Sequence, residues 1–204
     1  MDSLRHVFTH RLLNQKVPDA RVICVIGDGR ANFAGPALFR PRAGQKLISV
    51  NLPEVLIEDH RLILQSGAVE EARIVVASTR EQYDVAVADE GTCLILVPAQ
   101  HSSLLKDAGV ELFVNVASFQ EMTPALVANY FDIIKSNHAL LYTCNRVEKV
   151  LYGGERLVFD EYPWGSAKRL LWEPCPWHQR FYAKRPPFVR KFDGPFMHAL
   201  VSYQ

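Results

Sequence analysis

Hydrophobic residues along this chain fall into short, unbroken runs separated by segments with helical spacing. The first runs are Val22–Ile26 and Lys46–Pro53, and neither alternates between apolar and polar positions. Short apolar runs bounded by glycine or proline are typical of strands buried on both faces. Further strands of this kind are predicted at Ala72–Thr79, Thr92–Pro98, Val110–Ser118 and Ala139–Asn145.

The segments around these runs predict helices. Residues 1–19 have the spacing of a short N-terminal helix that ends at Pro18, and Val55–Gly67 is helical with a glycine stop. Thr123–Asn137 has an N-cap candidate in Thr123. Strands that alternate with helices in this way predict an α/β fold, with a mostly parallel sheet and helices on both faces.

The last 46 residues differ from the rest, because the segment from Phe159 onward holds 11 of the 21 aromatic residues. Two strand candidates, His178–Ala183 and Phe196–Tyr203, are predicted to form an antiparallel pair that closes the sheet edge. The length of 204 residues suits one hydrophobic core. We therefore predict a single domain over residues 20–204, preceded by the N-terminal helix.

Composition narrows the class of protein. Hydrophobic residues make up 49% and charged residues 22% of the chain, as in globular proteins, and the net charge of +1 does not favour nucleic acid as a partner. No apolar run is long enough for a membrane span, and no secretory signal is visible. The four cysteines form no CxxC pair, so we expect no metal site and a reducing, cytoplasmic setting.

The first candidate site is the turn formed by Gly27, Asp28 and Gly29, directly after the first predicted strand. Glycines let the backbone approach a ligand closely, and the N–H groups of the following helix could bind an anion. The dinucleotide fingerprint requires a third glycine where this chain has Asn32, so a nicotinamide or flavin cofactor is not favoured. A purely structural turn is the alternative.

The second candidate site follows the second predicted strand. Asn51 could reach the hydroxyls of a ribose, because polar side chains at this point do so in nucleoside-binding α/β folds. Glu54 either belongs to the same site or simply lies in the first turn of the next helix, where acidic residues are favoured. The two interpretations of Glu54 are equally supported.

Polar residues also crowd the ends of the next two buried strands. Asn115, Ser118, Gln120 and Glu121 lie within seven residues, at the edge where parallel sheets bind ligands. Glu121 could act as a general base or bind sugar hydroxyls, and the alternative is a capping network for the helix that follows. After the strand that ends at Asn145, Arg146 could grip an acidic group of a substrate or pair with a nearby glutamate.

The aromatic C-terminal region offers a third set of candidates. Tyr162, Trp164 and His178 lie in proline-rich loops that suit a lid stacking on sugar rings, or equally an edge packed under a partner. His178 is a second candidate base, although a lone histidine is more often structural. The region is locally basic, which indicates a solvated face, with RNA as a remote alternative.

Taken together, several motifs resemble one family. In chain order they are VIGDGRANFAGPAL, ISVNLPEVL, LFVNVASFQEMTPALVANYFDII, LLYTCNRVE and FDEYPW. They resemble the ordered motifs of the sugar O-methyltransferases, which are Rossmann-like enzymes that use S-adenosyl-L-methionine. The likeness covers roughly residues 20–204, and its most specific part is N-x-x-S-F-Q-E-M-T-P with NRVE about 25 residues later.

This resemblance implies a cofactor site at the strand ends and an acceptor site beside it. The implied cofactor positions are Gly27, Asp28 and Gly29 near the methionine moiety, Asn51, Leu52 and Glu54 near the ribose, Pro98 to Gln100 near the adenine, and Asn115 below the sulfonium. The implied acceptor side is formed by Ser118 and Gln120 of the SFQEM block and by Tyr162 and Trp164, with Asn145 and Arg146 added from their position after a strand.

We therefore predict an S-adenosyl-L-methionine-dependent O-methyltransferase for a sugar or glycan hydroxyl, with Glu121 as first and His178 as second candidate base. The chain departs from the family pattern at Val25, Ala31, Asn51 and Ala117. These departures keep a second interpretation open, a catalytically silent module that binds a partner through its aromatic region. A small molecule or RNA as acceptor and a homodimer also remain open.

Overall fold

The computed structural model describes residues 2–41 and 44–204. It confirms the predicted α/β class, because helices pack on both faces of an eight-stranded sheet. The twelve strands are β1 Val22–Ile26, β2 Lys46–Asn51, β3 Ile74–Val76, β4 Leu94–Pro98, β5 Leu112–Val116, β6 Leu140–Arg146, β7 Glu148–Val150, β8 Arg156–Val158, β9 Lys168–Pro174, β10 Arg180–Tyr182, β11 Val189–Lys191 and β12 Phe196–Ser202.

The main sheet has the order β3-β4-β2-β1-β5-β6-β12-β9, and its first six strands are parallel. Strand β12 runs antiparallel to both of its neighbours, β6 and β9. Two small antiparallel hairpins, β7–β8 and β10–β11, lie outside this sheet. The carboxyl ends of β1, β2, β4, β5 and β6 therefore meet at one edge, where open α/β sheets bind ligands.

Among the described residues, five α-helices flank the sheet, namely α1 Asp2–Lys16, α2 Ala34–Phe39, α3 Pro53–Ser66, α4 Arg80–Ala88 and α5 Pro124–Ser136. The predicted stop of α3 is confirmed, since Gly67 takes the left-handed conformation with a φ of 67°. The predicted N-cap of α5 is confirmed as well, because the Thr123 hydroxyl accepts a hydrogen bond from the Leu126 N–H.

Two hydrophobic cores lie on opposite faces of the sheet. Helices α1, α2 and α3 cover one face, where Leu13, Leu38 and Ile63 are buried. Helices α4 and α5 cover the other face, where Tyr83 and Phe131 are buried. All four cysteines are buried free thiols within the sheet and its adjoining segments. Each strand of the parallel part thus packs on both sides, which explains why its sequence shows no alternation.

The aromatic C-terminal region contributes to the second core. Trp164 packs edge-on against Phe131 with ring centroids 5.2 Å apart, and its indole Nε1 donates a hydrogen bond of 2.8 Å to the Phe159 carbonyl. Tyr162 packs beside it, tilted against the Phe159 ring. Tyr162 and Trp164, which were predicted to face the acceptor, are therefore buried in the core. This corrects the expectation that the YPW segment faces a ligand.

Several elements differ from the sequence prediction, and the hairpin strands β7, β8 and β11 are among those it did not contain. The antiparallel pair at the sheet edge is confirmed, but the partner of β12 is β9 instead of the His178–Ala183 segment. Strand β9 is an edge strand with mostly exposed side chains, so it lacks the apolar run that marked the buried strands. Helix α4 was not predicted, although Thr79 and Gln82 form a capping box at its start.

Candidate functional site

A cleft of about 480 Å³ opens at the carboxyl ends of β1, β2, β4 and β5. Its volume lies within the range of small-molecule and cofactor sites. Among the residues that the structure describes, its lining consists of Gly27, Val50, Asn51, Leu52, Ala99, Gln100, Ser102, Ser118, Glu121, Met122, Thr123, Leu126, Asn129 and Tyr130. Six of the predicted site residues are among them, namely Gly27, Asn51, Leu52, Gln100, Ser118 and Glu121.

Helix α5 supplies a wall of the cleft that sequence reasoning missed. Leu126, Asn129 and Tyr130 line it, and their spacing of three and four residues places them on one helix face. Tyr130 is bonded through its hydroxyl to Ser102, and burial raises the pKa of this tyrosine to about 12. The sequence feature that could have indicated this wall is the polar residue Asn129, which lies beside the apolar stripe of the predicted helix.

The floor of the cleft depends on Gly27, which has a φ of 69°. Its N–H donates a hydrogen bond of 2.8 Å to the Val50 carbonyl, so the turn continues the pairing of β1 with β2. A Cβ placed on Gly27 would lie 1.9 Å from the Ser118 Oγ. Glycine therefore lets the loop after β1 contact the loop after β5 directly.

Asp28 has a structural role that corrects its expected place in the cofactor site. Its buried carboxylate accepts hydrogen bonds from the Phe33 N–H at 2.6 Å and the Ala34 N–H at 2.8 Å, at the start of α2. The N–H groups that were expected to bind an anionic ligand are thus taken by the protein's own carboxylate. Burial raises the pKa of Asp28 to about 7, against the lowering effect of these two hydrogen bonds.

Asp59, on α3, is a functional candidate that sequence reasoning missed. Its Oδ1 accepts a hydrogen bond of 2.8 Å from the Ala31 N–H, and its Oδ2 lies 3.5 Å from the Asn51 Nδ2. Burial raises its pKa. The detectable signal was a carboxylate between Leu56 and Ile63, within the buried stripe of the helix. Asp59 therefore fixes the backbone that follows the glycine turn and orients the side-chain amide of Asn51.

Asn115 is completely buried, and its side chain joins three segments. Its Nδ2 donates to the Ile26 carbonyl at 3.1 Å, while its Oδ1 accepts from the Phe119 N–H at 3.2 Å and from the Asn145 Nδ2 at 2.8 Å. Each of these bonds lies within the protein. Asn115 therefore positions the loop after β5, and it does not line the cleft that the described residues form.

Gln120 and Asn145 belong to the same network. The Asn145 Oδ1 accepts a hydrogen bond of 3.2 Å from the Gln120 N–H, and the Gln120 Oε1 accepts one of 2.9 Å from the Arg146 N–H. These two predicted acceptor residues thus belong to a structural network, and neither lines the cleft that the described residues form. Buried polar groups that satisfy each other fix one conformation of the loop that carries Ser118 and Glu121.

Glu121 reaches the cleft from this loop, with 59% of its side chain exposed. Its Oε1 lies 3.4 Å from the Lys149 Nζ and 3.4 Å from the Gln120 Nε2. The carboxylate is therefore held by a cation and an amide but remains open to solvent. An exposed, oriented carboxylate can accept a proton from a bound hydroxyl group.

Four further predicted residues lie outside the cleft lining. The Gly29 carbonyl accepts from the Asn32 side chain, and Glu54 is exposed in the first turn of α3. Pro98 ends β4 and lines a separate apolar depression. Arg146 is half-buried, with its guanidinium over the Phe196 ring at 5.8 Å. For Glu54, the geometry supports a helix-terminus role.

His178 lies on the opposite face of the sheet from the cleft, which corrects its assignment as a second base. Its ring stacks on Phe196 at 4.2 Å, and its Nδ1 lies 3.9 Å from the Cys144 Sγ. Arg5 donates a hydrogen bond of 3.2 Å from Nη1 to the His178 Nε2, because a guanidinium can only donate. Burial, reinforced by the Arg5 charge, lowers the pKa of His178 to about 3.

Within residues 2–41 and 44–204, the structure contains neither a metal-binding cluster nor a membrane-spanning helix. No cluster of three or more histidine, cysteine or acidic side chains has the arrangement of a metal site. None of the described helices is long and apolar enough to cross a membrane.

Comparison with solved structures identifies the fold. The methyltransferase domain of bacterial CtHen1 matches with a TM-score of 0.59 and 9% identity, over 99% of this chain and 100% of that one. The mitomycin 7-O-methyltransferase MmcR matches with a TM-score of 0.52 and 14% identity, over 90% of this chain and 49% of MmcR. MtNAS, solved in complex with MTA and tNA, matches with a TM-score of 0.53 and 10% identity, over 97% of this chain and 60% of MtNAS.

These likenesses define the Rossmann-like fold of methyltransferases, as the sequence predicted. The chain spans about half the length of MmcR. No protein-family model and no curated protein matches the sequence.

The buried position of His178 generates a testable pH dependence. The unfolded chain takes up a proton on this residue as the pH falls through about 6.5, whereas the folded chain does so only near 3, so stability is lost as the pH falls between these values. His178→Gln keeps an acceptor for Arg5 and removes the titration. Between pH 7 and 4 the variant should lose less unfolding free energy than the wild type, by on the order of 2 kcal/mol.

Urea unfolding at a series of pH values measures this difference. Parallel stability curves for the two proteins would show that the residue titrates normally, and therefore that it is not buried as described.

Proposed function

We propose that this protein is an S-adenosyl-L-methionine-dependent O-methyltransferase that acts on a sugar hydroxyl. The observation that carries the proposal is the cleft between the glycine turn after β1 and the loop after β5, in a fold that methyltransferases share. The motif resemblance supports a sugar as the acceptor. The exposed Glu121 carboxylate at the cleft supports chemistry on a hydroxyl group.

The lining of the cleft fits an adenosyl group. Leu52, an apolar side chain that is 53% exposed, follows β2, and Ala99 and Gln100 follow the neighbouring strand β4. All three line the cleft and would hold the adenine. Asn51 would hold the ribose through its amide, which Asp59 orients. The backbone at Gly27 would contact the methionine moiety, because Gly27 lines the cleft and has no side chain of its own.

When bound, the cofactor supplies an activated methyl group on a sulfonium centre. The protein's part is to align the acceptor oxygen with that group, since alignment accounts for much of the acceleration of a displacement. Ser118 lies beside Gly27 at the floor and can hydrogen-bond the acceptor. Glu121 takes up the proton that the hydroxyl group loses, and Lys149 holds the carboxylate in place.

Measurements of cofactor affinity can distinguish the roles of Asn51, at the end of β2, and Glu54, in the first turn of α3. Asn51→Ala removes the only side-chain amide at the expected ribose position in the described cleft, so it should weaken S-adenosylhomocysteine binding about three- to tenfold. Glu54→Ala changes an exposed residue outside the cleft and should leave the affinity unchanged. Isothermal titration calorimetry measures both.

If the wild type binds no S-adenosylhomocysteine, the proposed activity fails and the silent binding module takes its place. Equal losses in both variants would contradict the assignment of the ribose site to Asn51.

The role of Glu121 predicts a kinetic difference. Glu121→Gln keeps the shape and the hydrogen bond from Gln120 but cannot accept the proton, so kcat should fall by about a hundredfold while cofactor affinity stays the same. Glu81→Gln, at an exposed position of α4, is the matched control and should retain the wild-type kcat. Transfer of radiolabelled methyl groups to a panel of mono- and oligosaccharides measures both variants.

A Glu121→Gln protein with undiminished turnover would remove this residue as the base. Transfer to other acceptors but to no sugar would contradict the substrate class.

A further inference from the structure

A second cleft, of about 520 Å³, lies between the N-terminal half of α1 and the segment that follows β9. Phe8 and Trp177 stack on each other at one wall, with ring centroids 5.8 Å apart. Arg5 and Arg180 also line it, and Arg5 is fixed by a hydrogen bond of 2.7 Å from its Nη2 to the Arg180 carbonyl. The cleft therefore combines aromatic surface with the exposed guanidinium of Arg180, while the buried Arg5 holds the backbone beneath it, and the candidate active site does not include this cleft.

The β10–β11 hairpin that borders this cleft is strongly basic. Residues 177–192 carry five cationic side chains and no acidic one, although the net charge of the whole chain is only +1. The five are Arg180, Lys184, Arg185, Arg190 and Lys191. In the described part of the chain, none of them forms an ion pair. Like charges gathered without counter-charges attract an anionic ligand.

One face of this hairpin is exposed and mixes charge with aromatic surface. In the antiparallel register, Tyr182 lies opposite Val189 and Arg180 lies opposite Lys191, so these four side chains share a face. All four are exposed, and Tyr182 is 64% accessible. The opposite face packs inward, with Phe181 against Phe192.

The hairpin leaves the main sheet at the same edge as the candidate active site. Strand β9 ends beside Met197 of β12, one residue from the pairing of Phe196 with Arg146 at the end of β6. Strands β1 and β12 are three positions apart in the sheet, which corresponds to about 14 Å. The hairpin and the candidate active site therefore start from the same edge of the sheet.

Arg146, the last residue of β6, contacts the inner side of the hairpin region. Its guanidinium packs over the Phe192 ring at 5.5 Å, and Arg5 packs over the same ring at 5.1 Å. Its buried Nε has no hydrogen-bond partner in the part of the chain that the structure describes. Arg146 therefore links the hairpin region, through Phe192, to the loop that carries Glu121, through the hydrogen bond from its N–H to the Gln120 Oε1.

We propose that the β10–β11 hairpin and its bordering cleft bind an acidic oligosaccharide, and that the acceptor of this protein is a glycan with carboxylate groups. The arginines pair with carboxylates in a two-pronged geometry, while ring faces of the glycan pack on Tyr182 and Trp177. A cleft of this volume suits one or two sugar rings. The choice of a glycan rests on the proposed sugar acceptor, and nucleic acid is the competing occupant that the experiment must exclude.

Binding of a fluorescently labelled hexamer of galacturonic acid tests this proposal directly. The wild type should bind it and should bind neutral maltohexaose at least about tenfold more weakly, because only the acidic hexamer can form charge-assisted hydrogen bonds. The combined variant Arg180→Gln, Arg185→Gln and Lys191→Gln should lose at least about tenfold in affinity. Fluorescence anisotropy at fixed ionic strength measures all three.

A charge-matched control removes three exposed basic residues elsewhere, as Arg11→Gln, Lys16→Gln and Lys106→Gln. This control should keep the wild-type affinity, and both combined variants should keep the wild-type melting temperature. Equal binding of the neutral hexamer, tighter binding of hexauridylate, undiminished binding by the hairpin variant, or no binding of the acidic hexamer would each overturn the proposal.

Calorimetry with S-adenosylhomocysteine on the same samples separates this proposal from the proposed function. Acidic-hexamer binding without cofactor binding would refute the methyltransferase and leave the hairpin site in place. Cofactor binding without acidic-hexamer binding would do the reverse.

Discussion

The geometry of the candidate site depends on the side-chain amide of Asn115. This completely buried group bonds the end of β1 through the Ile26 carbonyl, the loop after β5 through the Phe119 N–H, and the end of β6 through Asn145. An amide is suited to this position because it donates and accepts at once. Without it, these three buried groups, at two strand ends and in one loop, would each lose a hydrogen-bond partner, at a cost of about 1–3 kcal/mol for each group left unpaired.

The glycine turn is held in a comparable way from the other side. The carboxylates of Asp28 and Asp59 accept hydrogen bonds from the N–H groups of Ala31, Phe33 and Ala34, which connect the turn to α2, and burial raises the pKa of each carboxyl group. Only Gly27 of this turn lines the cleft, and its missing side chain admits Ser118. The floor of the cleft thus consists of backbone and small side chains, and Asn51 and Glu121 also line the cleft.

Sequence patterns predicted the buried strands well, because a strand packed on both faces reads as an unbroken apolar run. They did not predict β9, whose edge position leaves its side chains mixed and exposed. The same reasoning found Glu121 and Asn51 at strand ends but placed His178 and Trp164 in the site. Periodicity shows which residues follow a strand, whereas long-range packing decides whether an aromatic or imidazole ring is buried, and the sequence does not encode that locally.

The central claim is that the cleft between Gly27 and Glu121 holds an adenosyl cofactor. A crystal structure of the protein grown with S-adenosylhomocysteine tests it most directly. We expect electron density for the ligand in this cleft, with the ribose within hydrogen-bond distance of the Asn51 amide and the adenine beside Leu52. Density at another place on the protein, or an empty cleft at saturating ligand, would contradict the account.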